Sequence, residues 1–179
     1  MCIRDSDTTN QQHGGIRSVT FDPDFAANGV FYTSEMQTRP SNTSGLTYLS
    51  DADNPIGADS VVSQWRRSSD GSIPPSSRRE MIRIGMPVYD HPIKQIAFNP
   101  HATVGSPDFK MLYITHGDGS VQSATAGGGR NNDGLGKVLR IRPNLVGQPY
   151  SIPDGTTGCL LYTSPSPRDA TLSRMPSSA

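Results

Sequence analysis

The chain has 179 residues, enough for one domain of ordinary size, with 33% hydrophobic and 18% charged residues. Gly, Pro, Ser, Thr and Asn supply the difference, a mix that suits strands joined by many turns. Sixteen basic residues balance sixteen acidic ones, so no net field draws the chain to nucleic acid or to an anionic membrane. No apolar run approaches the roughly 20 residues of a membrane helix.

Ile16 to Phe21 alternates as a half-buried strand does, and Asp22-Pro23-Asp24 turns it. Ala26-Ala27 suits one short helical turn. Asn28-Gly29 is a tight-turn dipeptide opening a strand over Val30 to Ser34. Residues 37 to 58 are rich in Ser, Thr, Asn, Asp, Gly and Pro and read as a long loop. Ser60 to Arg67 alternates again, with Val61, Ser63 and Trp65 on one face and Val62, Gln64 and Arg66 on the other. Asp70-Gly71 is a further hairpin signal, and Met81, Ile82 and Ile84 mark a short strand. Gln95 to Phe98, Met111 to Thr115 and Val138 to Ile141 complete the set. No stretch holds a sustained helical period.

The ends differ from the middle. Met1 to Ser6 and Cys159 to Asp169 resemble translated sequencing-adapter sequence, and Ala170 to Ala179 has no period of either kind. The expected division is therefore 1–6 as an adapter-like artefact, 7–158 as the domain, and 159–179 as an adapter-like or disordered tail. Cys2 and Cys159 fall in or beside these ends and say nothing about redox compartment.

One pattern occurs twice. Phe21-Asp22-Pro23 precedes Phe31-Tyr32-Thr33-Ser34, and Phe98-Asn99-Pro100 precedes Leu112-Tyr113-Ile114-Thr115. Each reads as strand, Asx-Pro turn, strand. Repeated units of this kind suggest propeller blades, although a β-sandwich gives similar short strands.

Gly15 to Phe25, with its Phe21-Asp22-Pro23-Asp24-Phe25, and Asn28-Gly29-Val30-Phe31-Tyr32 resemble the opening motifs of the soluble glucose/sorbosone dehydrogenase family. Tyr89-Asp90-His91 with Gln95 to Pro100 resembles the segment that holds that family's catalytic histidine. Leu112 to Asp118 is similar to its next strand, which ends in Gly-Asp. Leu135-Gly136-Lys137-Val138-Leu139-Arg140-Ile141 and the turn Tyr150 to Pro153 follow in the family's order. The resemblance implies an all-β fold, part of a six-bladed propeller of antiparallel strands, with two to three blades present. It also implies an enzyme that oxidises an aldose or related alcohol with pyrroloquinoline quinone and calcium. An external electron acceptor, a periplasmic or secreted location and a homodimer of the complete protein go with it.

No side chain accepts hydride, so such an oxidation needs a cofactor, and histidine suits the base because imidazoles titrate near neutrality. The resemblance makes His91 the base, with Asp90 positioning the imidazole or contacting the cofactor. Gln12, His13, Arg130 and Asn131 are the further cofactor-binding candidates. It places no metal ligand in this stretch. The departure is Pro92-Ile93-Lys94, where the family has small residues that let backbone approach a ligand. That feature favours the alternative, a propeller of the same descent that binds a ligand or protein without catalysis.

The remaining candidates have plainer expectations. His116 suits a cap at a strand end, and His101 a solvated turn. Asp118 in Gly117-Asp118-Gly119 suits a turn, with calcium binding the sharper reading. Asp51-x-Asp53 begins like a calcium loop, but Pro55 and Ile56 break the pattern. Gly127 to Gly134 lacks the ending of a phosphate-binding loop. Arg66-Arg67 and Arg78-Arg79 read as a solvated hairpin rim. Asn42-Thr43-Ser44 fits a glycosylation acceptor.

Overall fold

The computed structural model describes residues 15–42, 48–50, 58–86, 90–119, 134–151 and 161–162. It is built almost wholly of strands: β1 (Gly15–Phe21), β2 (Val30–Thr38), β3 (Tyr48–Ser50), β4 (Ala58–Arg66), β5 (Arg79–Met86), β6 (Ile93–Phe98), β7 (Leu112–His116), β8 (Val138–Pro143), β9 (Tyr150–Ser151) and β10 (Leu161–Tyr162). A four-residue helix, α1 (Phe25–Asn28), and a 3-10 turn at Pro75–Ser77 are the helical pieces among the described residues. Sheet A has the order β1-β2-β4-β5-β3, antiparallel except that β3 joins β5 in parallel. Sheet B has the order β10-β8-β7-β6, with β9 also paired to β8. Within them β1-β2-β4-β5 and β6-β7-β8 are up-and-down antiparallel runs, as expected of propeller blades. β1 and β6, the first strand of each sheet, lie side by side, and the Ile96 amide donates to Ser18 Oγ at 3.2 Å.

Local chemistry sets the turns. Asp22 Oδ1 accepts the Asp24 amide at 2.9 Å, and Asn99 Oδ1 accepts the His101 amide at 3.0 Å. These are the same Asx turn in the two halves of the echo. After the first, α1 ends on Gly29 in the left-handed region, φ 66°. A Cβ there would stand 2.9 Å from the Arg67 carbonyl oxygen. Glycine is required by the close approach as well as by the backbone.

The core lies between the sheets. Tyr32, Met36, Val62, Ile82 and Ile84 of sheet A meet Ile93, Ile96, Leu112, Ile114 and Leu139 of sheet B. Each side chain buried there stabilises by roughly 1.5–3 kcal/mol relative to exposure. Polar edges of the interface are matched: the Ile93 amide donates to Ser60 Oγ at 3.2 Å, and Gln64 Nε2 donates to Tyr32 Oη at 3.1 Å.

Several expectations change. The 37–58 loop is shortened, since β2 runs to Thr38, β3 covers Tyr48–Ser50 and β4 begins at Ala58. Tyr150–Ser151 is a strand paired with β8, and the turn sits before it, where the Asn144 amide donates to the Pro149 oxygen. Alternation predicts a half-buried β4, yet Ala58 to Trp65 is buried on both faces. The face away from sheet B satisfies its own polar groups. Trp65 Nε1 donates to Thr33 Oγ1 at 2.9 Å and Ser63 Oγ to Glu35 Oε1 at 2.8 Å. Arg78 and Arg79 are correspondingly not a solvated rim. Arg78 pairs with Glu35 at 2.9 Å, and Arg79 donates to the Asn144 and Gly147 carbonyls of the β8–β9 turn. Arg66 and Arg67 are exposed.

Tyr32 carries a pH prediction. It is fully buried, and desolvation pushes its phenol up to about 12. An unfolded tyrosine titrates near 10. Between those values the folded chain holds a proton that the unfolded chain has lost. Stability is therefore fully present below about pH 10 and falls as pH rises toward about 12. Thermal melts across that window, with tyrosinate absorbance as the second signal, should show the fall. Tyr32→Phe should shallow it, and an unchanged profile in that variant would remove Tyr32 as the cause.

Candidate functional site

The β6–β7 hairpin builds the site. Ile93 pairs with His116, so the residues just before β6 face those just after β7. His91 is held at φ 53°, a left-handed conformation uncommon outside glycine, and the Asp90 carboxylate accepts its amide at 2.8 Å. His91 Nδ1 lies 2.6 Å from Asp118 Oδ1. An ionised carboxylate can only accept, so Nδ1 carries the hydrogen and, in the neutral ring, Nε2 keeps its lone pair. Asp90 Oδ2 stands 3.6 Å from that Nε2, an ion pair only when the ring is protonated. The three side chains are 46%, 49% and 37% exposed for His91, Asp90 and Asp118, so the group is open to a solute.

Gly117 makes this arrangement possible. A Cβ there would sit 2.5 Å from the His91 carbonyl oxygen and 2.7 Å from its Cβ. The Gly117 amide donates to the Pro92 carbonyl, and its own carbonyl accepts the Gly136 amide at 2.8 Å. His116 and Lys137 exchange backbone hydrogen bonds beside them. Segments from the starts of β6 and β8 and the end of β7 are thereby tied into one rim. Pro92 is buried and Ile93 is in the core, while Lys94 is exposed. The two bulky residues of the Pro-Ile-Lys departure therefore face inward.

Asp90 holds the His91 amide, and Asp118 is the carboxylate on the imidazole. Its contact spans 27 residues. The turn reading of Asp118 misses this, and the one signal for it is the strand ending in Gly-Asp. Gln12, His13, Arg130 and Asn131 lie outside the described residues, as do Asp51 and Asp53. His116 is buried at its strand end, with Nδ1 2.6 Å from the Gly117 carbonyl, and His101 is exposed. Among the described residues no three His, Cys, Asp or Glu side chains are grouped as a metal would need. A cavity of about 520 Å³ lies between Phe21, Phe98, Asn99, Phe109 and Lys110. These residues stand at the ends of β1 and β6 remote from His91, so the cavity is separate from the dyad.

No protein-family model and no curated protein matches the sequence. Solved structures do. A glucose dehydrogenase is 20% identical over 82% of this chain and 36% of its own, with a TM-score of 0.53. A second glucose dehydrogenase is 21% identical, with the same coverages and a TM-score of 0.52. Both are β-propellers. The chain has part of that propeller fold. A soluble aldose sugar dehydrogenase from Escherichia coli, in the apo-form, is 19% identical over 73% of this chain and 30% of its own, with a TM-score of 0.46. The chain thus spans about a third of the length of the structures it matches. No helix among the described residues is long and apolar enough to cross a membrane.

Proposed function

We propose that this chain is the base-bearing part of a quinone-dependent dehydrogenase that oxidises an aldose or related alcohol. The observation that carries the reading is the 2.6 Å contact of His91 Nδ1 with Asp118, which commits the exposed Nε2 to accepting a proton. In the proposed reaction His91 Nε2 takes the substrate hydroxyl proton. Asp118 holds the tautomer and stabilises the imidazolium that forms. Asp90 fixes the His91 backbone through its amide. A bound quinone supplies the hydride acceptor that no side chain provides. The described residues suit such a group in two respects. The imidazole is open, and Lys94, on the same hairpin, is an exposed cation of the sign a carboxylated quinone needs. Asp90, with Gln12, His13, Arg130 and Asn131, completes the proposed binding set. Calcium, six blades, an external acceptor, a periplasmic or secreted location and a homodimer belong to the same reading.

The test uses the longest gene product containing this chain, given calcium and pyrroloquinoline quinone. An aldose should drive reduction of an electron-accepting dye, and the quinone spectrum should change on uptake. Absence of quinone uptake would replace this reading with the non-catalytic ligand- or protein-binding propeller.

A further inference from the structure

The two hairpins β1–β2 and β6–β7 share one register. Phe21 pairs with Phe31 and Phe98 with Leu112, and the irregularities fall between Ile16 and Ser18 and between Ile93 and Gln95. Two residues before Phe31 stands Gly29, at φ 66°, and two before Leu112 stands Lys110, at φ 59°. The same left-handed backbone is met by glycine in one hairpin and by lysine in the other. Glycine adopts it freely, whereas a residue with a Cβ is strained there. Strain of this kind gathers at ligand clamps, where the side chain is needed.

Lys110 lines the cavity of about 520 Å³ at this end of the hairpins. The walls come from the ends of β1 and β6 and from the two connections that follow them. Phe21, Phe98 and Phe109 supply aromatic wall, Thr20 and Asn99 polar wall, and Lys110 is the one ionisable residue among the described lining residues. Asn99 is engaged by its own loop, with Oδ1 on the His101 amide and Nδ2 3.4 Å from Asp108. A pocket of this size with apolar walls and one charged group suits a small molecule oriented by that charge. The Lys110 ammonium lies 5.6 Å from the centre of the Phe109 ring and pairs with Asp24 of the first hairpin's connection. The two side chains are 37% and 46% exposed, and ion pairs so accessible to water are weak. An arriving carboxylate can therefore take the ammonium while Asp24 turns to solvent.

We propose that this cavity binds a small aromatic monocarboxylate, its ring among Phe21, Phe98 and Phe109 and its carboxylate on Lys110 in place of Asp24. The ammonium selects an anion, and the phenyl rings select a flat apolar body that packs edge to face or offset against them. Asp24 is an internal competitor that holds Lys110 until the ligand arrives. The site stands apart from His91 and needs no cofactor.

Isothermal titration calorimetry of the 179-residue chain with phenylacetate tests it. Binding should saturate with a Kd of about 1 mM or below. Phenylacetamide has the same shape without the charge and should bind at least about tenfold more weakly. Lys110→Gly should weaken phenylacetate binding by a similar factor, yet melt no lower than the wild type, because glycine relieves the left-handed backbone. Asp24→Asn should bind phenylacetate about two- to fivefold more tightly, the size of the exposed ion pair that no longer competes. The two partners of the pair thus give effects of opposite sign, which a merely structural ion pair does not. Absence of saturable phenylacetate binding, equal affinities for the acid and the amide, or wild-type affinity in Lys110→Gly would each overturn the proposal. So would weaker binding in Asp24→Asn, which would make Asp24 part of the ligand's seat rather than its competitor.

Discussion

Arg83→Ala destabilises the chain by about 3–5 kcal/mol, the range expected when one member of a buried ion pair is removed. Asp59 is fully buried and Arg83 is 5% exposed, with 2.9 Å between Arg83 Nη1 and Asp59 Oδ2. Burial works against the guanidinium charge, but hydrogen bonds and charge from Glu80 and then Asp59 outweigh it and raise the Arg83 pKa. Glu80 lies 2.7 Å away, and Gln37 accepts a further hydrogen bond at 2.9 Å. Arg39 holds the other Asp59 oxygen at 3.0 Å, so the loss of Arg83 leaves Asp59 Oδ2 without its 2.9 Å ion pair. Urea denaturation of wild type and variant gives the difference. The double variant Asp59→Val with Arg83→Met should recover part of it, because no buried carboxylate is then left behind. A single variant within about 0.5 kcal/mol of wild type would mean that this network contributes little to stability.

That network also shows where sequence reading stops. Alternation over Ser60 to Arg67 finds the strand, because period two is a local property of the chain. It cannot say that both faces are covered, since Thr33, Glu35 and Arg83 reach β4 from other strands and Arg78 pairs with Glu35. The Phe-Asx-Pro echo is legible, and the Asx turns at Asp22 and Asn99 bear out its local chemistry. Its full extent is not, because a shared register and matching irregularities exist only once strands pair. Lys110 illustrates the gap. It adopts φ 59° two residues before Leu112, as Gly29 adopts φ 66° two residues before Phe31. The repeat requires a left-handed residue at both places, yet glycine advertises it at only one. At the candidate site, Asp90-His91 was readable as a pair of neighbours. Asp118 was not readable as its partner, since the β6–β7 pairing alone carries it across 27 residues.

If the dehydrogenase reading holds, the largest effect on turnover belongs to His91. His91→Ala in the quinone-loaded, calcium-containing gene product should lower kcat by about 10²–10⁴-fold, the usual contribution of a positioned base. The side chain is nearly half exposed and makes its ring contact with the less exposed but still accessible Asp118, so the fold should survive the change. Asp118→Asn should lower kcat less. The amide can still meet Nδ1, but it no longer carries the charge that stabilises a protonated ring. KM for the aldose should move little in either variant, because the proton transfer is made in the transition state rather than in the bound ground state. The kcat and KM split thus separates a base from a residue that merely binds sugar. Wild-type kcat in His91→Ala would exclude His91 as the base. A loss in Asp118→Asn that appears wholly in KM would assign Asp118 to substrate binding and leave the imidazole without its orienting partner.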